Sequence, residues 1–175
     1  MDQALLRRLI RDIPDFPQEG VVFKDITPLL GHAEAFGSVV TELASHYEGA
    51  GVTMVAGIEA RGFIFAAPIA FALGAGFVPI RKPGKLPHDV EAEDYELEYG
   101  TDLLEVHKDA VHSGDRVLII DDVIATGGTA AASIRLVRRL GADVAGLAAL
   151  VELDFLGGRA QIPEDVELLS LLHFA

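Results

Sequence analysis

Cysteine is absent from this chain of 175 residues. A chain without thiols forms no disulfide, offers no thiolate nucleophile and cannot build a cysteine zinc site. Structural disulfides belong to oxidising compartments, so their absence agrees with a cytoplasmic location, which we predict.

Positive charge is scarce. Lysine and arginine total 14 against 27 aspartates and glutamates, which gives a net charge of −13. General nucleic-acid binding needs a basic face, so we expect no nucleic-acid partner. An anion can still bind, but only in a local basic pocket within a repulsive overall field.

Long hydrophobic runs are also missing. No apolar stretch approaches the roughly 18 residues of a membrane helix, and the amino terminus, Met1-Asp2-Gln3, is not a basic region followed by a hydrophobic one. We therefore expect neither a membrane partner nor a signal peptide. Because 50% of the residues are hydrophobic, the chain can bury a sizeable core, and its length predicts a single domain over 1–175.

What the chain does contain is an alternation of strand and helix patterns. Apolar residues at helical spacing predict a first helix over 4–13. The further predicted elements are a helix over about 32–48, strand Val52–Ile58, helix Gly62–Leu73, strand Phe77–Ile80, strand Arg116–Asp121, helix Thr129–Leu140, and strands Val144–Glu152 and Val166–Leu171. This alternation is typical of the α/β class, with a mostly parallel central sheet flanked by helices.

A polar insertion over 81–109 interrupts that alternation. It begins with cations and then turns acidic, with no lysine or arginine between Lys85 and Lys108. Alternation around Tyr95, Leu97 and Tyr99 predicts a strand or hairpin arm, and we expect most of its carboxylates to face solvent. Two interpretations stay open, a functional arm and a solvated surface hairpin.

The most informative stretch is Val117–Thr129. Four apolar residues lead into Asp121 and Asp122, and a turn rich in glycine and threonine then precedes a helical pattern. Acids at a strand end are common and also bind metals, so the pair alone is a weak signal. Joined to a turn that offers bare N–H groups and hydroxyls to an anion, the pair predicts a ribose 5-phosphate site. No lysine of a Walker-type loop is present, which favours a monophosphate.

This stretch resembles the 5-phosphoribosyl diphosphate (PRPP) signature of type I phosphoribosyltransferases. The resemblance implies that Asp121 and Asp122 contact the ribose hydroxyls. It also implies that the following turn holds the 5-phosphate, through Ala125, Thr126, Gly127, Gly128 and Thr129.

Four further segments resemble the adenine phosphoribosyltransferases in the same order. They are Phe16-Pro17 with Gly20–Leu30, Gly57–Phe63, Arg81–Pro87 and Glu96–Gly100. The resemblance implies the type I phosphoribosyltransferase fold, with an amino-terminal base-binding hood over about 1–35 and a flexible catalytic loop over about 81–107.

The same resemblance assigns roles to single residues. Val22, Phe23 and Val123 are expected to contact adenine. Glu98 and Tyr99, together with Arg61, are the expected catalytic residues, and Glu98 is the candidate for relaying the proton of adenine. The expected pyrophosphate-binding residues are Glu59 and Ala60, joined by a cis peptide bond, with Arg61, Arg81, Lys82 and Lys85.

The implied reaction is reversible transfer of the 5-phosphoribosyl group from PRPP to N9 of adenine, which gives AMP and pyrophosphate in purine salvage. Mg²⁺ is expected, held mainly by PRPP and water near Asp121 and Asp122 without dedicated protein ligands, and a homodimer is expected. Three alternatives stay open: a phosphoribosyltransferase for another base (hypoxanthine-guanine, xanthine or orotate), a non-catalytic PRPP-sensing regulator, and a response-regulator-like metal-binding domain.

Overall fold

A computed structural model describes residues 1–96 and 101–175. The chain divides into two compact units, Met1–Glu42 and Leu43–Ala175. None of the helices in the described ranges has the length and apolar character that crossing a bilayer requires.

The first unit contains a short two-stranded sheet and three helices. Helix α1 (Gln3–Arg8) is followed by strands β1 (Arg11–Pro14) and β2 (Val22–Asp25), helix α2 (Thr27–Leu30) and most of helix α3 (Ala33–His46). The side chain of Asp2 caps α1, because its Oδ1 accepts hydrogen bonds from the amides of Ala4 and Leu5 at 3.0 and 3.1 Å.

The predicted helix over 4–13 is wrong beyond Arg8. Residues Arg11–Pro14 form β1, which pairs antiparallel with β2 and places Ile13 opposite Phe23. Lys24 Nζ lies 2.6 Å from Asp12 Oδ1 across the two strands. The β-branched Ile13 and this cross-strand pairing favour the strand over the helix that the spacing of leucines predicts.

The second unit is built on a five-stranded parallel sheet. Its strands in chain order are β3 (Met54–Ile58), β4 (Gly76–Ile80), β7 (Arg116–Ile124), β8 (Asp143–Leu153) and β9 (Leu168–Phe174), and their spatial order is β4-β3-β7-β8-β9. Helix α4 (Gly62–Leu73) connects β3 to β4, and helix α5 (Gly128–Arg139) connects β7 to β8. The predicted fold class is confirmed.

The two helices cover opposite faces of this sheet. Gly57 of β3 faces α4 so closely that a Cβ there would lie 2.8 Å from the Ala66 methyl group. The neighbouring residues Ala56 and Ile58 belong to the buried cluster that includes Ile134 of α5. Because successive side chains of a strand point to opposite faces, the central strands are apolar on both sides, as a buried parallel sheet requires.

Two further strands of the described residues, β5 (Val90–Glu96) and β6 (Thr101–His107), pair antiparallel. We call this pair the ribbon, and its paired strands confirm the predicted hairpin arm. Arg135 and Arg139 of α5 form ion pairs with Glu93 of the ribbon, and Arg139 also contacts Glu91 at 3.1 Å. The expectation that most carboxylates of the arm face solvent is wrong for Glu91 and Glu93, which are half-buried against these arginines, and for two others, Asp102 and Glu105.

Candidate active site

The acid pair lies inside β7 rather than after it. The predicted strand ends at Asp121, whereas β7 continues to Ile124 because Val123 and Ile124 pair with Val151 and Glu152 of β8. Asp121 is half-buried, and Asp122 is 4% exposed. Two adjacent carboxylates therefore lie near the carboxyl end of a buried strand, where ligands bind in open α/β sheets.

One cation balances this pair. Arg61, at the amino end of α4, places its Nε 2.8 Å from Oδ2 of Asp122, and Oδ1 of Asp121 accepts a hydrogen bond of 2.8 Å from the amide of Asp122. Burial raises the pKa of Asp121 well above its usual value, and the neighbouring charge of Asp122 raises it further. Burial also raises the pKa of Asp122, against the opposing charge of Arg61. The pair is thus under-compensated, meaning that the charge of Arg61 only partly neutralises the two carboxylates. It is therefore suited to accept hydrogen bonds from hydroxyl groups.

The turn that follows forms a small cradle. Gly127 has a φ of 84°, which favours glycine, and α5 begins at Gly128, one residue before the predicted start. A cavity of about 70 Å³ opens here, lined by Asp121, Val123, Ile124, Ala125, Thr126, Gly127, Thr129 and Ala130. The amino end of a helix beside this cavity favours an anion. A larger open depression of about 570 Å³ at the opposite end of β7 and β8 contains none of the predicted site residues.

The peptide bond between Glu59 and Ala60, just after β3, is cis, as the resemblance implies. The Glu59 carboxylate accepts hydrogen bonds from Nε and Nη2 of Arg81, at 3.2 and 3.3 Å, and from the Lys82 amide at 2.9 Å. Burial raises the pKa of Glu59, but these bonds and the arginine charge outweigh it, and the pKa is lowered. Glu59 therefore holds the start of the cationic segment 81–85 against the loop after β3.

The cations of that segment differ in their surroundings. Lys82 Nζ contacts the Asp102 carboxylate and the Tyr95 hydroxyl, whereas Lys85 is exposed. Burial opposes the charge of Lys82, yet its hydrogen bonds to Asp102 and Tyr95 raise the pKa. Two of the three cations in this segment, Arg81 and Lys82, are thus already paired with carboxylates.

A family model of the phosphoribosyl transferase domain matches residues 30–166. The adenine phosphoribosyltransferase of Thermobifida fusca is 59% identical over 168 residues, which cover 96% of this chain and 95% of that protein. The chain belongs to the adenine phosphoribosyltransferase family.

Solved structures of the family have the same fold. The adenine phosphoribosyltransferase from Thermoanaerobacter pseudethanolicus matches with a TM-score of 0.94 and 51% identity, over 98% of this chain and 99% of that one. The enzyme from Saccharomyces cerevisiae, complexed with adenine and D-2,5-dideoxy-2,5-imino-altritol 1,6-bisphosphate, matches with a TM-score of 0.91 and 40% identity, over 97% of each chain. The type I phosphoribosyltransferase architecture is therefore established for this family member.

The residues expected to contact adenine lie in two parts of the chain. Val22 begins β2 and is 48% exposed, and Phe23 packs edge-on against Phe16, with ring centroids 5.1 Å apart. Val123 lies in β7 beside the acid pair. Their role toward adenine stays a prediction, as does the separate hood over about 1–35.

The expected catalytic residues Glu98 and Tyr99 lie outside the residues that the structure describes. Their assignment rests on the resemblance to the adenine phosphoribosyltransferases. The described parts of the ribbon bring Tyr95 and Asp102 next to Lys82, so the ribbon does contact the predicted pyrophosphate-binding segment.

Sequence reasoning missed a pair of charged residues near the turn, Glu152 of β8 and Arg159. Glu152 is 4% exposed and accepts two hydrogen bonds from the Arg159 guanidinium. A signal was present in the sequence, since a single acid near the end of an apolar strand run such as Leu147–Leu153 requires a buried partner.

Proposed function

We propose that this family member transfers the 5-phosphoribosyl group of PRPP to N9 of adenine, and that AMP and pyrophosphate are released. The observation that carries the proposal is the under-compensated acid pair beside the glycine turn on β7. This arrangement suits a vicinal diol next to a phosphate. Membership of the adenine phosphoribosyltransferase family supports adenine as the acceptor.

In this proposal the ribose is held at two points. Asp121 and Asp122 accept hydrogen bonds from its 2- and 3-hydroxyls, and the amides and hydroxyls of 125–129 bind its 5-phosphate at the amino end of α5. Binding the two ends fixes C1 of the ribose for attack, which converts binding energy into orientation.

The bond between C1 and the pyrophosphate oxygen then breaks as the bond from N9 of adenine forms. Positive charge develops on the ribose ring, where the neighbouring carboxylates stabilise it. Arg61 and the loop Glu59-Ala60 bind the leaving pyrophosphate, together with the cations Arg81, Lys82 and Lys85. Glu98 takes the proton of adenine, and Tyr99 assists over the reacting centre.

The base is held mainly by stacking in this proposal. Phe23 stacks on adenine, backbone groups near Val22 read its edge, and Val123 closes the other face. Stacking of a base on an aromatic ring contributes about 1–3 kcal/mol, which holds a purine without distinguishing adenine from hypoxanthine.

Mg²⁺ fits the residues of this site. It prefers oxygen ligands and keeps several waters, and Oδ2 of Asp122 is a buried carboxylate oxygen that pairs with Arg61 without accepting a well-directed hydrogen bond. Asp121 and Asp122 would hold a hydrated ion that is bound mainly by PRPP. When bound, Mg²⁺ neutralises charge on the leaving pyrophosphate. We also propose a homodimer in the cytoplasm, in line with the family resemblance.

The deciding experiment incubates the protein with radiolabelled PRPP, Mg²⁺ and one base at a time. AMP should form with adenine, and the rate with hypoxanthine, guanine, xanthine or orotate should be far lower. Product with another base alone would indicate a different phosphoribosyltransferase. PRPP binding without product from any base would indicate a regulator, and no PRPP binding would refute the ribose phosphate assignment.

A further inference from the structure

The cradle on β7 rests on a second stretch of backbone. Two short 3₁₀ helices, Asp154–Leu156 and Gly158–Gln161, follow β8, and we call Gly157–Gln161 the floor segment. A Cβ on Gly127 would lie 2.2 Å from the Gly158 carbonyl oxygen, and a Cβ on Gly158 would lie 2.2 Å from the Ala125 carbonyl oxygen. The two backbones therefore touch directly, and their approach requires glycine on both sides.

The floor segment is tied to the sheet by one ion pair. Nε and Nη2 of Arg159 lie 2.9 and 2.5 Å from the two carboxylate oxygens of Glu152, and Nη1 donates to the Leu168 carbonyl at 3.2 Å. Glu152 is the residue of β8 that pairs with Ile124 of β7, immediately before the turn. One guanidinium thus joins the floor segment to β8 and β9 beside the cradle.

This pair also neutralises the buried negative charge of Glu152, which lies close to the proposed phosphate site. Burial raises the pKa of Glu152, but the hydrogen bonds and charge of Arg159 lower it, so the carboxylate is ionised and neutralised in place. Asp154 and His173 lie close enough to Glu152 to suggest a metal site. Since both Glu152 oxygens already accept from Arg159, the cluster is an ion-pair network instead.

We infer that Glu152 and Arg159 are positioning residues for the 5-phosphate. They hold the floor segment against Ala125 and Gly127, and so fix the turn whose amides bind the phosphate. This inference rests on the proposed role of the turn. A loosened floor segment raises the dissociation constant for ligands of the turn and leaves ligands of Arg61 and the Glu59-Ala60 loop unaffected.

The test compares two ligands by calorimetry, ribose 5-phosphate for the turn and pyrophosphate for the loop after β3. Arg159→Gln should weaken ribose 5-phosphate binding about tenfold, since both hydrogen bonds to a charged acceptor are lost. Arg159→Lys should recover part of the loss, because lysine keeps the charge but not the planar fork. Pyrophosphate affinity should stay within about twofold of the wild type.

The matched control is Arg138→Lys. Arg138 forms an ion pair with the exposed Asp165, at 2.6 Å and at the opposite end of the sheet, and this change should alter neither affinity. In steady state, the KM for PRPP of the Arg159 variants should rise, while kcat at saturating PRPP stays near the wild-type value.

Unchanged ribose 5-phosphate affinity in Arg159→Gln would overturn the inference, and so would equal losses for both ligands, which indicate general destabilisation. If Arg159→Gln does not fold, the same comparison is made with the milder Arg159→Lys. A wild-type protein that binds no ribose 5-phosphate would instead overturn the proposed function itself.

Discussion

The carboxylates of the acid pair in β7 and those of segment 81–107 differ in how far neighbouring cations neutralise their charge. At the acid pair, the half-buried Asp121 lies beside the buried Asp122, whose carboxylate pairs with Arg61, and both pKa values are raised. In segment 81–107, Lys82 pairs with Asp102, and Glu93 pairs with two arginines of α5. The pKa values of Asp102 and Glu93 are lowered as a result.

This difference indicates that the acid pair can bind a ligand, whereas the ion pairs of segment 81–107 stabilise the fold. Carboxylates whose charge is only partly neutralised are stabilised when a ligand supplies hydrogen-bond donors. The charged groups of segment 81–107 already have partners, so pyrophosphate can engage Lys82 only by competing with a carboxylate. Four variants test this contrast, and they follow in order of decreasing expected effect.

The strongest test removes the acid pair. Asp121→Ala combined with Asp122→Ala should abolish PRPP binding in calorimetry, because the ribose loses both hydrogen-bond acceptors. The variant should remain folded, since raised pKa values mean that the ionised pair destabilises the free protein at neutral pH. Asp143→Ala with Glu164→Ala, two exposed acids elsewhere, is the matched control. Retained PRPP affinity in the first variant would refute the ribose assignment.

The second test asks whether Glu98, which follows β5 in the sequence, takes part in the chemistry. Glu98→Gln should lower kcat about a hundredfold or more, the usual size of a lost proton relay, and should leave PRPP affinity unchanged. Asp94→Asn changes an exposed acid of β5 and should keep kcat. Equal turnover of Glu98→Gln and the wild type would remove Glu98 from the mechanism.

The third test releases a paired cation. Asp102→Asn frees Lys82 from its carboxylate, so pyrophosphate should bind about threefold more tightly, in line with the energy of partly exposed ion pairs. Asp165→Asn frees Arg138 at the other end of the sheet and should leave pyrophosphate affinity unchanged. If Asp102→Asn also leaves it unchanged, Lys82 does not contact pyrophosphate.

The smallest expected effect concerns Glu93. Although burial opposes ionisation, Arg135 and Arg139 lower its pKa below the ordinary value of 4.5, so the folded state binds fewer protons than the unfolded state as the pH falls past that value. The stabilisation is therefore complete at neutral pH and is lost as the pH falls through the lowered pKa. Glu93→Gln should reduce the free energy of unfolding by about 0.5 kcal/mol at neutral pH, and by less near pH 3.

Urea unfolding of the wild type and Glu93→Gln at both pH values measures this difference. Glu48→Gln, at an exposed position, is the control. A gap between wild type and Glu93→Gln that is constant with pH would show that the effect is not electrostatic.

Much of the second unit could be predicted from local patterns. Helix α4 has the predicted bounds, and β3, β4, α5 and β8 differ from theirs by one or two residues. Buried strands and apolar helices carry their signal in consecutive residues, and the cradle follows directly from one strand and one turn.

The parts that sequence reasoning missed depend on residues distant in the chain. Strand β1 forms because Val22–Asp25 pairs with it, and the apolar spacing of the first 13 residues cannot report that pairing. Glu152 and Arg159 meet only because the chain turns through two 3₁₀ helices after β8. The end of β7 extends past Asp121 because β8 offers hydrogen bonds there, which no pattern within β7 encodes.

The contact between Gly127 and Gly158 has a consequence for biosynthesis. The turn residues leave the ribosome well before Gly158, so a growing chain carries the acid pair and the turn before the backbone that supports them exists. Strand β9, which Arg159 also contacts, is made after Gly158. A truncated chain that ends before Gly158 therefore lacks half of this contact, and PRPP would stabilise finished molecules in preference to fragments.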